Sequence, residues 1–276
     1  MTSTTLVLIA SSIVLIGGAD LFGGIASRVS RPITVAAWSQ AAGIPVLMVI
    51  AAIVGGDPTG RDLWLGALAG VGSAVGVACL YVGFARSALG VVAPTSATVA
   101  AIVPIGVGLV VGERPSAVVA LGIALGVCAI VLVGWTGGRP DVQGLAFGAI
   151  SGAGFGLMVL SYAGTDPASG VWSAAVGRVV ATAVVLAVVL VARIDRDIAR
   201  GVRTATVLAG VLAAVGLAAL VGAAQDADLV LLGVALGMFP TMTALLAATF
   251  LAERLRATQW IGIATAACAV TLVSLG

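Results

Sequence analysis

The chain has 276 residues, of which 61% are hydrophobic and 9% are charged, with a net charge of +2. Roughly a quarter of the residues of soluble domains are charged, so the composition excludes a soluble protein and indicates an integral membrane protein in contact with the lipid bilayer. The chain has no His, and its 13 basic residues are all Arg, which excludes imidazole bases, His-ligated metals and lysine Schiff bases. We therefore expect no catalytic residue, no metal site, no cofactor and no enzyme activity. The arginines lie mostly at predicted helix ends, so we expect no nucleic-acid partner either.

Ten segments are long and apolar enough to cross a bilayer, which takes about 20 residues of helix. They lie at residues 5–26, 33–54, 63–85, 91–112, 116–134, 143–163, 170–192, 204–223, 229–251 and 258–275. The first segment is longer than the apolar region of a signal peptide, so we expect it to be retained. Only the break at 193–203 is longer than a turn. The sequence predicts an all-α membrane protein with ten transmembrane helices, located in the cell membrane.

A repeat relates the two halves of the chain. Residues 112–133 (GERPSAVVALGIALGVCAIVLV) match residues 252–273 (AERLRATQWIGIATAACAVTLV) at an offset of 140, and a weaker match joins WSQAAG at 38–43 to WSAAVG at 172–177. Each longer copy contains a helix end, a Glu-Arg pair, a turn and a new helix, so segments four and five correspond to nine and ten.

Because five is odd, the second copy enters the membrane from the opposite side. The sequence thus predicts two inverted five-helix repeats, at 1–136 and 137–276. Transporters place substrate at such an interface near the bilayer midplane. The alternative is a duplication retained only for symmetric packing.

Two ionisable residues lie well inside predicted spans: Asp20 in the first and Arg178 in the seventh. An unpaired charge there costs several kcal/mol, so each needs a partner, a proton or water. A direct Asp20–Arg178 ion pair is one solution, and separate positions on a shared aqueous cavity are another. The third is that both side chains extend to the membrane interface.

Other polar and aromatic residues of the spans are candidates for a substrate or proton pathway: Gln40, Trp38, Trp172, Tyr81, Thr95, Thr98 and Thr241. Most Ser and Thr in a span only bond their own helix, and Trp more often anchors the interface. Pro240 interrupts the ninth segment, as a hinge or as a static kink. Glu113 and Glu253 each end a helix, so we expect them to close the two hairpins rather than to bind substrate.

The paired hairpins resemble the EamA-type domain of the drug/metabolite transporter superfamily. A span ends in Gly-Glu-Arg or Ala-Glu-Arg, with a Gly nine residues after each Glu, and Pro240 stands thirteen residues before Glu253, as in that family. The first copy departs from the pattern, with Ala100 at the equivalent place. The stretch from Gly18 to Leu21 resembles a Gly-Ser-Asn-Phe stretch of the family's first span, and Arg178 resembles an Arg frequent in its second and seventh spans.

The resemblance implies a ten-span secondary carrier, often an exporter of amino acids, other metabolites or drugs, with substrate in a central cavity formed by both halves. We expect alternating access without ATP, with a small-molecule substrate, with protons as a coupling ion if Asp20 titrates, and in a monomer or a homodimer. The alternative is a structural or lipid-handling membrane protein without carrier activity.

The distribution of arginines predicts an orientation. Loops after the odd-numbered segments hold ten arginines, whereas the other side holds only Arg61 and Arg114. Cytoplasmic loops are enriched in Arg, so this count puts both termini outside the cell. The family resemblance implies both termini inside, and the two expectations conflict.

Overall fold

The computed structural model of the protein describes residues 3–87, 89–112, 114–134, 142–250 and 257–275. Within these ranges the regular structure is entirely helical. The α-helices are α1 (Ser3–Val29), α2 (Pro32–Val54), α3 (Gly60–Arg86), α4 (Leu89–Val110), α5 (Ala117–Gly134), α6 (Val142–Ala163), α7 (Trp172–Val191), α8 (Arg203–Ala224), α9 (Leu229–Phe250) and α10 (Ala257–Leu275). Each overlaps one predicted segment, with ends that differ by at most three residues, which confirms the all-α fold.

Most of the described helices have the length and composition of membrane spans. Seven of them, α1 to α4 and α6 to α8, are long and apolar enough to cross a membrane. Large apolar side chains point outward, among them Val110 at 87% exposed and Val191 at 85%. An apolar exterior of this kind suits contact with lipid tails rather than water. The protein is therefore a multi-pass membrane protein.

Local sequence signals account for several helix ends. Pro32 begins α2, where the missing N–H of proline costs nothing. Thr59 caps α3 and forms a capping box with Asp62. Gly112, the glycine of the first Gly-Glu-Arg motif, follows α4 with a φ of 101°, a left-handed conformation that favours glycine.

The two halves of the chain are interleaved. The most extensive helix contacts join α1 to α8, α3 to α6 and α5 to α10, whereas helices consecutive in the chain touch far less. Further contacts join α4 to α6 and α9, α1 to α9, α2 to α7 and α8, and α3 to α7. If each of the first five helices is exchanged with the helix five later, this set of contacts maps onto itself. Contact α1–α8 becomes α6–α3, α3–α7 becomes α8–α2, and α2–α7, α4–α9 and α5–α10 are unchanged.

Small residues permit these close contacts. Glycines 148, 152 and 156 form a stripe on α6 that packs against α4. A Cβ atom built on Gly148 would lie 2.7 Å from the Cβ of Thr95, and one on Gly156 would lie 2.7 Å from the Cβ of Val103. Glycines four residues apart let helix backbones approach closely, so this stripe is a helix-packing seam.

Candidate functional site

A chain of buried polar side chains links three helices. Arg178, near the start of α7, is 5% exposed, and its Nη1 donates a hydrogen bond to Oε1 of Gln40 on α2. Gln40 is 1% exposed, and its Nε2 donates at 3.1 Å to Oγ of Ser73 on α3. Because lipid offers no competing hydrogen bonds, such a chain holds the Arg178 side chain inside the bundle.

Arg178 has no acidic partner among the residues that the structure describes. The direct ion pair with Asp20, one of the predicted solutions, is not formed. The reason is the helix arrangement: α1 has no extensive contact with α7, whereas α2 and α3 contact both helices. Arg178 Nε lacks an acceptor in the described part of the chain, and a Cβ built on Gly43 of α2 would lie 3.1 Å from it. A buried cation is thus compensated only by the neutral amide of Gln40.

Tyr81 of α3 lies near both ionisable residues. Its hydroxyl lies against Gly23 of α1 and close to Ser39 of α2. The same hydroxyl is within electrostatic range of both Asp20 and Arg178. Asp20 itself is partly buried on α1, and its carboxylate has no hydrogen-bond donor within the described ranges. Asp20 and Arg178 therefore both lie near Tyr81 but form no ion pair with each other.

Tyr162, at the end of α6, adds a second donor. Its side chain is fully buried, its hydroxyl lies against Gly177 of α7, and it is within electrostatic range of Arg178. No acceptor for this hydroxyl occurs in the described residues. A buried polar group without a partner costs about 1–3 kcal/mol, so Tyr162 and Arg178 Nε together leave the cluster short of acceptors.

The two Trp-Ser motifs occupy equivalent packing positions. The carbonyl oxygen of Ser39 on α2 contacts Gly210 of α8, and the carbonyl oxygen of Ser173 on α7 contacts Gly66 of α3. The helix exchange described above converts one of these contacts into the other. The weak match between WSQAAG and WSAAVG thus corresponds to two tight helix crossings beside Arg178.

Four further predicted residues have side chains that the structure describes: Trp38, Trp172, Thr98 and Thr95. Trp38 is 53% exposed, and its Nε1 donates to the carbonyl oxygen of Arg196 at 3.0 Å, which is an interfacial position. Trp172 is partly buried against the apolar core, and Thr98 is partly buried on α4. Thr95 donates to the Val91 carbonyl of its own helix at 2.7 Å.

The predicted hairpin residues are only partly described. Glu113 and Glu253 lie outside the described residues. Helix α9 continues through Pro240 and Thr241, whose side chains lie outside the described set. The roles predicted for these four residues stay predictions.

A buried carboxylate joins two loops at one end of the bundle. Asp62, 1% exposed in the first turn of α3, accepts hydrogen bonds from the backbone N of Thr59 at 2.9 Å and from Thr59 Oγ1 at 2.6 Å. Its other oxygen accepts from the backbone N of Asp166, in the α6–α7 loop, at 2.9 Å. The backbone N of Asp57 donates to the carbonyl oxygen of Ala168 at 2.9 Å. The α2–α3 and α6–α7 loops are therefore joined, and we call this contact the Asp62 contact.

The opposite end of α2 contacts the loop that follows α7. Thr34 Oγ1 donates to the carbonyl oxygen of Asp195 at 2.6 Å, and the backbone N of Ala199 donates to Ser30 Oγ at 3.0 Å. We call this the Ser30 contact. Exchanging helices between the halves converts the α2–α3 and α6–α7 loops into the α7–α8 and α1–α2 loops, so the two contacts join corresponding loops through different hydrogen bonds. Sequence reasoning missed both, although the Thr59-x-x-Asp62 spacing signals a capped helix start.

No protein-family model and no curated protein matches the chain. Its fold is nevertheless similar to solved structures, with 18 matching chains. One of them, a crystal structure of a protein, superimposes with a TM-score of 0.79 at 15% sequence identity, covering 100% of this chain and 98% of that chain. At this identity the likeness shows the fold alone. The fold and its apolar surface define an all-α, multi-pass membrane protein.

Proposed function

We propose that the protein is a secondary active transporter of the EamA type, exporting a small metabolite, amino acid or drug across the cell membrane by alternating access. In this proposal all ten helices span the membrane and form two inverted five-helix repeats, 1–136 and 137–276. The supporting observation is that the principal helix contacts map onto themselves when helices five apart are exchanged. Two inverted halves of this kind have two equivalent ways to pack, and these open to opposite sides of the membrane.

The buried polar cluster supports a central binding site. Contact α2–α7 maps onto itself under the exchange, so a pseudo-twofold axis passes near it. Arg178 and Gln40 bond across this contact. An ionisable residue inside a membrane bundle is a functional-site candidate by default because burying its charge is costly.

The Asp62 and Ser30 contacts are candidates for the two gates. Each joins loops from different halves, and they lie at opposite ends of α2. Alternating access requires that one end separates while the other remains closed. Two corresponding contacts, built on few hydrogen bonds each, suit this requirement because one can open at low cost in free energy while the other stays formed.

Coupling to protons completes the proposal. Asp20 is partly buried without a hydrogen-bond donor among the described residues, and Tyr81 lies beside it. A carboxyl group in such a setting binds a proton without first breaking a local bond. In our hypothesis Asp20 takes up a proton from the side to which the cavity opens and releases it on the other, so that proton entry drives export.

Counterflow in proteoliposomes tests the carrier function. In the Asp62 contact the backbone N of Asp57 lies 2.9 Å from the carbonyl oxygen of Ala168. Cysteines introduced at residues 57 and 168, in a chain without its native cysteines, are therefore expected to form a reducible disulfide across this contact. Each vesicle sample is preloaded with one unlabelled amino acid or organic acid and is then exposed to the same compound in labelled form. We expect tracer exchange by the reduced protein and none by the oxidised protein. Equal leak through both forms and through empty vesicles would favour a structural or lipid-handling role.

A further inference from the structure

We propose that Arg178 binds the carboxylate of the transported compound, so that the substrate is a small organic molecule with one free carboxylate. This inference deepens the proposed function and rests on it for the direction of movement. The binding itself is an equilibrium property and is tested without transport. The site consists of Arg178, Gln40, Tyr81 and Tyr162.

The charge balance of the site calls for an anion. Arg178 is 5% exposed, and its bonded partner, Gln40, is neutral. The neighbours within electrostatic range are the hydroxyls of Tyr81 and Tyr162. No described acidic residue pairs with the guanidinium, although a cation in a bilayer is strongly disfavoured without a counter-ion. An anionic ligand supplies the missing charge only while it is bound.

The hydrogen-bonding inventory points to a carboxylate. Within the described part of the chain Arg178 Nε and the Tyr162 hydroxyl lack acceptors, and both belong to side chains that are more than nine-tenths buried. An ionised carboxylate is an acceptor only, with two oxygens that match the planar guanidinium. Arg178 Nη1 already donates to Gln40 Oε1, so the edge of the guanidinium that carries Nε remains available to a ligand.

Helix packing explains how the Nε edge is covered in this conformation. A Cβ atom built on Gly43 would lie 3.1 Å from Nε, so the backbone of α2 covers the guanidinium at a position without a side chain. A small displacement of α2 away from α7 would uncover Nε for a ligand. Gly177 provides the same cover for the Tyr162 hydroxyl.

The single arginine also limits the ligand's charge. One guanidinium neutralises one negative charge, and the other polar groups near it, such as Gln40 and Ser73, are neutral. A phosphate monoester or a dicarboxylate would leave a second negative charge buried in the bundle without a partner, which is strongly disfavoured. A monocarboxylate, or a zwitterion whose amino group lies nearer to Asp20, fits this balance.

Matched pairs of carboxylates and primary amides test the proposal. The purified full-length protein is heated with L-leucine or L-leucinamide, with benzoate or benzamide, and with 4-methylpentanoate or its amide. The members of a pair have nearly the same shape but differ in charge. We expect the carboxylate of at least one pair to raise Tm, since a ligand that binds only the folded state stabilises it, and the amide to have no effect.

Variants assign the effect to Arg178. Arg178→Gln should lower carboxylate affinity by about 10- to 100-fold, the range expected for a lost charged hydrogen bond. Arg28→Gln removes the same charge from an exposed position at the end of α1 and should retain wild-type affinity. Tyr162→Phe is a second variant that tests the site even if Arg178→Gln fails to fold. It removes an unsatisfied hydroxyl, so the free protein should be at least as stable while carboxylate binding weakens.

Two results would overturn the inference. One is the absence of any carboxylate-specific rise in Tm across the pairs, and the other is a rise that Arg178→Gln leaves unchanged. Counterflow of a neutral or cationic compound without carboxylate binding would refute this inference and retain the carrier. Conversely, carboxylate binding that needs Arg178, without exchange by the reduced protein, would retain the site and refute the carrier.

Discussion

Arg178 on α7 donates a hydrogen bond to Gln40 on α2, and these two helices come from different halves of the chain. The contact between α2 and α7 is one of three that the exchange of halves leaves unchanged. A charged residue is therefore held by a neutral one at the position where the two halves meet. This pairing of a charged side chain with a neutral one is the physical basis of the predictions about the site.

Gln40→Glu would supply the counter-ion that the site lacks. The new carboxylate would lie within hydrogen-bonding reach of Arg178, so we expect a higher Tm for the free protein and loss of the carboxylate-dependent rise in Tm. Gln143→Glu makes the same change at an exposed position of α6 and should preserve ligand binding. A lower Tm together with normal carboxylate binding would count against the charge balance proposed for Arg178.

Asp20→Asn tests proton coupling. The amide cannot titrate, and the native carboxylate has no donor to lose among the described residues, so we expect a normal Tm but no proton-driven counterflow in vesicles with an imposed pH gradient. Asp57→Asn is the control, since that side chain is exposed in the α2–α3 loop. Unchanged pH-driven counterflow in the Asp20 variant would remove this residue from the mechanism.

Asp62→Ala should weaken one end of the bundle. It removes the acceptor for Thr59 and for the backbone N of Asp166, and loss of a helix cap costs about 0.5–2 kcal/mol. We expect a lower Tm and faster proteolysis of the α6–α7 loop. Asp57→Ala, in the same segment but exposed, should have little effect on either measurement. Equal behaviour of the two variants would mean that the Asp62 contact does not hold the loops together.

Gly66→Ala tests the tight crossing of α3 and α7. A Cβ atom at this position would lie 2.9 Å from Cα of Ser173, a backbone atom that moves only if the helices separate. We expect a Tm several degrees lower and reduced yield of folded protein. Gly106→Ala is the matched control, since a Cβ there has no neighbour within 4 Å in the described structure. It should be neutral or stabilising by up to about 1 kcal/mol through helix propensity. Similar loss in both variants would indicate that close helix packing is not the cause.

The sequence predicted the helices well because their signal is local. Twenty apolar residues between polar breaks are recognisable without knowledge of the fold. The contact between α3 and α6, which is among the most extensive between helices, was not predicted. Contacts between elements distant in the chain depend on the whole arrangement of helices, which local patterns do not encode.

The candidate site was predicted only in part for the same reason. Arg178 and Asp20 were recognisable because ionisable residues are rare in membrane spans, but their separation depends on α2 and α3 lying between α1 and α7. Gln40 was one of several polar candidates, and nothing in the sequence distinguished it as the partner of Arg178. The buried Asp62 was missed because its segment was interpreted as a polar turn. The orientation in the membrane and the roles of Glu113 and Glu253 stay predictions.

In the proposed transporter the two ends of the bundle open alternately, and paired spin labels measure this directly. One variant carries labels at residues 57 and 168, and a second carries them at residues 30 and 199, both in a background without native cysteines. Dipolar broadening reports the close and separated populations at each end as the pH is varied. Because both contacts are formed in this structure, we expect that conditions that separate the labels at one end leave the labels at the other end close together. Populations that change in the same direction, or a fixed close distance at both ends in a folded protein, would contradict it.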